Sequence, residues 1–296
     1  MRIVVTGREG QVVRSLLERG ALQGHTIIPL GRPDLDLAGN QKGIVATITA
    51  ARPAAIVSAA AYTAVDKAEA EPELAFAINH RGAEAVAIAA AALKVPLAHL
   101  STDYVFDGTK GGPYCEADVT DPATVYGASK LAGEQAVLAA TPNAAVLRTA
   151  WVYSPFGASF LKTMLRLASS REEVAVVADQ YGNPSSALDI ADAVLAVLEN
   201  LIAGNDPGQR GIFHLAGTGN ASWAEFAETI FERSRGLGGP FARVTHIGST
   251  DYPTAARRPA NSSLDCGKLE RAHKVRLPHW QQSTADVVAR IVGLPA

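Results

Sequence analysis

Short apolar and β-branched runs alternate with stretches of helix formers through the first half of the chain. The runs are RIVVT at 2–6, HTIIPL at 25–30, AAIVSAAA at 54–61, VPLAHLST at 95–102 and NAAVLRTAWVY at 143–153. Each reads as a strand, and strands that alternate with helices pair in parallel, because a parallel pair needs a crossover long enough to hold a helix. One helix is predicted from Gln11 through Leu22 and another from Pro72 to Leu93, whose many alanines combine high propensity with close packing on a sheet; a third follows Pro122 in TVYGASKLAGEQAVLAA. Beyond Trp151 the alternation loosens, and glycine and proline cluster at 205–211 and 236–240 with helices between. Ser222, followed three residues later by Glu225, has the spacing of a capping box before AEFAETIFERS, and Trp223 beside it reads as a packing residue. The pattern predicts an α/β protein in two parts, residues 1–150 and a smaller lobe at 151–296.

The first strand breaks at a glycine: Thr6, Gly7, Arg8, Glu9, Gly10, Gln11, Val12, Val13. Gly7 permits a tight turn and Gly10 a close approach of backbone to a pyrophosphate, which the free amides at the helix start, from Gln11 and Val12, would bind. This is half of a dinucleotide-binding fingerprint. Val13 stands where a third glycine serves helix-to-strand packing, so the substitution bears on packing more than on phosphate contact. With the strand pattern, it predicts a Rossmann-type doubly wound parallel sheet. At the end of the second strand, where enzymes selecting NAD place an acid for the ribose hydroxyl, the chain reads Leu30, Gly31, Arg32. Arg32 suits a 2′-phosphate, which predicts NADPH as cofactor with NADH as the weaker alternative; otherwise Arg32 is a solvated loop residue.

Tyr126 and Lys130 are four residues apart in the helix after Pro122 and share one face. A free phenol has a pKa of about 10, and an adjacent ammonium would bring it closer to proton exchange at neutral pH. Thr102 ends an apolar strand, so its hydroxyl is expected at the carboxyl edge of the sheet, where open α/β sheets bind ligands. A carbonyl there would take two hydrogen bonds, and the reaction predicted is hydride transfer to it. Thr102, Tyr126 and Lys130 are the candidate catalytic set.

Composition removes other classes. Hydrophobic residues make up 48% of the 296 positions, enough for a large core, and a net charge of −2 without basic runs gives no attraction to nucleic acid or an anionic membrane. No leader precedes the first strand and no apolar stretch is long enough to cross a bilayer, so a cytoplasmic protein is expected. Cys115 and Cys266 lack metal-type spacing and read as reduced thiols, while His99 within an apolar strand reads as a core residue.

The segments TGxxGQ at 6–11, AAYTAVDKAE at 60–69, STDYVFDG at 101–108, YGASKLAGE at 126–134 and RTAWVY at 148–153 resemble those of the extended short-chain dehydrogenase/reductases. The likeness is greatest to the reductases of 4-keto-6-deoxy sugars carried on thymidine diphosphate. It continues through FLKTMLRLA at 160–168, DQYGNPSS at 179–186 and YPTAARRPANSSLD at 252–265, covering nearly the whole chain in order.

The resemblance implies reduction of the C4 ketone of dTDP-4-dehydrorhamnose to dTDP-L-rhamnose, the last step in making that sugar donor. It places Asp36 and Leu37 at the adenine, Ala60, Ala61 and Thr63 along the cofactor channel, and Tyr126 and Lys130 at the nicotinamide ribose. It assigns Asp103, Tyr104 and Trp151, with Thr102, to the sugar. Trp151 also reads as a core or interlobe anchor. Arg257 and Arg258 suit the diphosphate, which guanidinium groups grip bidentately. Members of this family return later segments to the first domain and commonly have asparagine where Ser58 stands. Some relatives pair through a metal-bridged interface, but Arg14 and Ser15 occupy the first helix where an acidic ligand would be sought, so no metal is assigned and a homodimer stays open. The regulatory subunit of methionine adenosyltransferase, a nucleotide-binding interaction protein, resembles the same reductases. A reductase or epimerase of another deoxysugar, or a dehydratase, is the other alternative, and the dehydratase TDE arrangement is replaced here by Thr102, Asp103, Tyr104.

Overall fold

A computed structural model describes residues 1–293. The first half builds β1 (Arg2–Thr6), α1 (Gln11–Leu22), β2 (Thr26–Leu30), α2 (Gln41–Ala50), β3 (Ala55–Ser58), α3 (Val65–Ala68), α4 (Pro72–Phe76), α5 (Ala83–Leu93), β4 (Leu97–Thr102), α6 (Val125–Ala140) and β5 (Ala144–Thr149). There follow β6 (Val152–Tyr153), α7 (Phe160–Ala168), β7 (Glu173–Val177), β8 (Tyr181–Gly182), β9 (Ser185–Ser186), α8 (Ala187–Ala203), β10 (Gly211–His214), β11 (Ala221–Ser222), α9 (Trp223–Gly236), β12 (Arg243–Ile247), α10 (Gly267–His273) and α11 (Trp280–Val292).

Six strands form one parallel sheet in the order β10-β5-β4-β3-β1-β2. Its strands lack a polar face because both faces are covered, and successive residues alternate between two cores. Ile3, Val5, Val57, Ala98 and Leu147 pack with Val13 and Leu16 of α1 and with α8, whereas Val4, Ile56, Leu97 and Val146 pack with α2, α5 and α6. The chain is therefore an α/β protein with a doubly wound parallel sheet. α8 and β10, from beyond residue 151, complete the sheet and its cover. A separate core joins Tyr153, Leu161, Met164, Phe226, Ile230 and Trp280 from β6, α7, α9 and α11, with the parallel pair β7–β12 beside it.

Two sequence expectations are modified. The run 143–153 is not one strand: β5 stops at Thr149, and Trp151 adopts a left-handed backbone with φ 48° before β6. The helix from Pro72 to Leu93 is interrupted by a π turn over Ala77–Gly82. Such turns are frequent at functional sites. Here Asn79, buried, accepts from the Tyr62 amide at 2.8 Å and donates to the Tyr62 carbonyl at 3.1 Å and to Ser129 Oγ at 2.9 Å. Gly133 of α6 lies against it, where a Cβ would come within 2.1 Å of the Asn79 carbonyl oxygen.

Among the described residues no helix is long and apolar enough to cross a membrane, and no cluster of three metal-type ligands occurs. Cys115 and Cys266 are free thiols.

Candidate active site

The strands' carboxyl ends gather the predicted residues at one edge. Gly7 has φ 99°, a conformation that glycine adopts at little cost, and a Cβ there would lie 3.2 Å from Val13 and 3.4 Å from Ala60. Val13 thus fills the packing position beneath the turn. Gly10 caps α1 with no side-chain hydrogen bond, leaving the first amides of a twelve-residue helix open to an anion. The Thr6 hydroxyl accepts from the amides of Ala59 and Ala60, both at 3.0 Å, and so shapes the loop that leads to Ala61 and Thr63. The turn fits a dinucleotide's pyrophosphate: the backbone is bare where it must approach closely, and among the described residues no side chain caps the helix.

The Gln11 side chain does not face that cradle. It accepts from Ser154 Oγ at 2.8 Å and donates to the Val152 carbonyl, tying α1 to the second lobe, so only its amide remains for a ligand. Arg32 is exposed just past β2, and Arg8, which sequence reasoning passed over, pairs with Asp34 beside it. Asp36 is exposed and caps the Ala38 amide, while Leu37 is buried in the core beside α2 and α5. Ser58 is buried at the end of β3, its hydroxyl without a partner among the described residues.

Thr102 ends β4 and α6 starts at Val125, capped by Thr124 through the Gly127 amide at 3.0 Å. Tyr126 and Lys130 consequently emerge beside the strand end. Tyr126 is buried against Tyr104, the rings 5.5 Å apart and edge to face. Burial raises its phenol pKa, the Thr102 hydroxyl beside it opposes that rise, and Asp103 adds to it. The sequence expectation of a phenol made more acidic by Lys130 is not met by the chain alone. Lys130 Nζ instead donates to the Leu100 carbonyl at 2.6 Å, and burial draws its pKa down to about 8, with Glu134 opposing.

Asp103 has a more perturbed setting than its sequence position suggested. It accepts from the Thr102 hydroxyl at 3.0 Å, its Oδ2 has no partner among the described residues, and burial pushes its carboxyl up to about 7. Tyr104 lies next to it, reached by Arg258 at 3.3 Å. Arg258 is held by Asp66 of α3 at 2.5 Å, an internal partner that the sequence reading did not foresee. Arg257 is exposed, and lines a cleft of about 540 Å³ with Lys110, Tyr181 and Asn261. Trp151 stacks on Trp223 with ring centroids 3.5 Å apart and donates to Ser262 Oγ at 3.1 Å. Both tryptophans are therefore anchors of the second lobe.

A buried ionic network under the site was also passed over, although its members sit in the segments that carried the resemblance. Glu134, one turn beyond Lys130, binds Arg148 of β5 through Nε at 2.9 Å and Nη2 at 2.7 Å, and accepts from Ser101 Oγ at 2.5 Å. The four-residue spacing from Lys130 was the available signal.

A family model described as RmlD substrate binding domain matches residues 1–292. The dTDP-4-dehydrorhamnose reductase of Sinorhizobium fredii is 52% identical over 288 residues, 97% of each chain, and that of Escherichia coli K12 is 42% identical over 286 residues, 95% of each. Crystal structures of a dTDP-4-dehydrorhamnose reductase from Clostridium acetobutylicum and of one from Bacillus anthracis in complex with NADP both superpose with a TM-score of 0.90. Their identities are 34% and 33%, and each match covers 98% of this chain and 99% of the other. Agreement in sequence and fold from the first strand to the last helix places this chain in the dTDP-4-dehydrorhamnose reductase family.

Proposed function

We propose that this protein reduces the C4 ketone of dTDP-4-dehydrorhamnose to dTDP-L-rhamnose with NADPH. The observation that carries the reading is the meeting of Thr102 and Tyr126 at the carboxyl edge of β4, in a sheet whose first turn leaves a helix N-terminus open for a pyrophosphate. Gly7, Gly10 and the amides of Gln11 and Val12 would hold the diphosphate of the dinucleotide. Arg32 would meet the 2′-phosphate, Asp36 and Leu37 the adenine, and Ala60, Ala61 and Thr63 the channel wall. When bound, the cofactor supplies a hydride.

The chain's own part is to orient the ketone and deliver a proton. Burial keeps Tyr126 in its phenol form, the state that donates to an oxygen gaining negative charge. Thr102, once its hydroxyl turns from Asp103, would offer a second hydrogen bond to that oxygen, and preorganised donors of this kind stabilise charge as it develops. Lys130 would hold the nicotinamide ribose, and its positive charge opposes the rise of the Tyr126 pKa once the ammonium turns toward that side. Asp103, Tyr104 and Trp151 would border the sugar. Arg257, exposed beside Tyr104, is better placed for the substrate diphosphate than Arg258, whose guanidinium is already engaged by Asp66.

The test is NADPH oxidation with the keto sugar by wild type and Tyr126→Phe. The variant should bind NADPH as before and lose about 10²- to 10⁴-fold in kcat, the usual share of general acid catalysis. Normal turnover by the variant would remove Tyr126 from the role of acid.

A further inference from the structure

Lys130 enters the site by a route that its own helix does not secure. It is buried, its nitrogen rests on the Leu100 carbonyl, and burial disfavours its charge. The groups facing it are His99 of β4, which burial and the Lys130 charge hold neutral, and Glu134 of α6. Tyr126 lies one turn earlier on α6, Asp103 follows β4, and Arg148 stands on β5 opposite Ser101.

Glu134 is the one acid among these within a helical turn of the ammonium, since side chains four residues apart on a helix lie about 5–6 Å apart at Cβ. Its carboxylate has no freedom to turn away. Arg148 grips both oxygens, Ser101 donates to one of them, and Arg148 is itself packed over the Phe106 ring at 5.1 Å. Ser101 and Leu100, the two residues before Thr102, thus receive Glu134 and Lys130 of the helix that carries Tyr126. The same contacts fix the register between α6 and the end of β4.

We infer that Glu134 is a positioning residue for the reaction, clamped by Arg148 and Ser101 so that it holds α6, and with it Tyr126 and Lys130, against the end of β4. The inference rests on the reading of Lys130 and Tyr126 given above. It predicts that loss of Glu134 disturbs the placement of Lys130 and Tyr126 and does not merely lower stability.

The experiment compares Glu134→Gln with the apolar pair Glu134→Leu/Arg148→Met. The first leaves the Arg148 charge buried without its counterion, which is costly, whereas replacing both members of a buried ion pair by apolar groups is commonly neutral or stabilising. Folding is checked by thermal melting, and the Lys130 titration is read in the ligand-free protein from its ¹³Cε resonance. In folded Glu134→Gln that resonance should titrate about one pH unit lower than in wild type, because an opposite charge has been removed, and in the apolar pair, which loses one charge of each sign, it should move less. The alkaline limb of the kcat profile should move down with it, while the KM for the keto sugar stays within about twofold. A folded Glu134→Gln with an unchanged Lys130 titration and an unchanged kcat profile, or a folded apolar pair with wild-type kcat, would overturn the inference. Lys130→Met separates the two readings. If it turns over normally, the proposed role of Lys130 fails; if it is inactive while the folded Glu134 variants behave as wild type, only the role of Glu134 fails.

Discussion

Asp103→Asn isolates the cost of burying a carboxylate at the site. Burial holds the Asp103 carboxyl at about 7, against 3.8 for a free aspartate. Between those values the native state keeps a proton that the unfolded chain has released, so stability falls as pH rises, by about 1.4 kcal/mol per pH unit. From pH 5 to pH 8 the part of that window still to be crossed amounts to about 3 kcal/mol. Asparagine has nearly the same shape, still accepts from Thr102 and carries no charge. The variant should therefore gain about 3 kcal/mol relative to wild type between pH 5 and pH 8, a shift of roughly 1 M or more in the urea midpoint for slopes of about 1–3 kcal/mol/M. The assay is urea unfolding of both ligand-free proteins at the two pH values. A difference between them that stays constant with pH would show that Asp103 ionises as an ordinary aspartate and that its surroundings are wetter than its burial implies.

Two further outcomes test other parts of the account. Arg32→Ala should raise the KM for NADPH by about tenfold or more while leaving that for NADH within about twofold, since a charge-assisted contact to phosphate is worth about 1.5–3 kcal/mol; steady-state kinetics with both cofactors decides it, and equal effects on the two would assign Arg32 to the solvated loop. Ser222→Ala removes the hydroxyl that accepts from the Glu225 amide at 3.1 Å, and leaves the reverse bond from the Ser222 amide to Glu225 in place. It should cost about 1 kcal/mol in denaturant unfolding with no change in kcat.

The sequence by itself determined the sheet, the glycine turn and the sharing of a helix face by Tyr126 and Lys130, because each depends on neighbours in the chain. Apolar runs follow from burial of both faces of β1, β3, β4 and β5, a four-residue spacing from helix geometry, and the α9 cap from two residues that satisfy each other's backbone amides. Only the tertiary structure decided what those residues meet. It turned Gln11 toward Ser154 and gave Arg258 to Asp66, contacts spanning 143 and 192 positions. It broke the fifth strand at Trp151, where the ring stacks on Trp223 and leaves the sheet. It also raised the Tyr126 pKa where local spacing alone predicted a fall. A pKa is set by the water that burial removes and by charges brought from other strands, and neither is written in the residues on one turn of a helix.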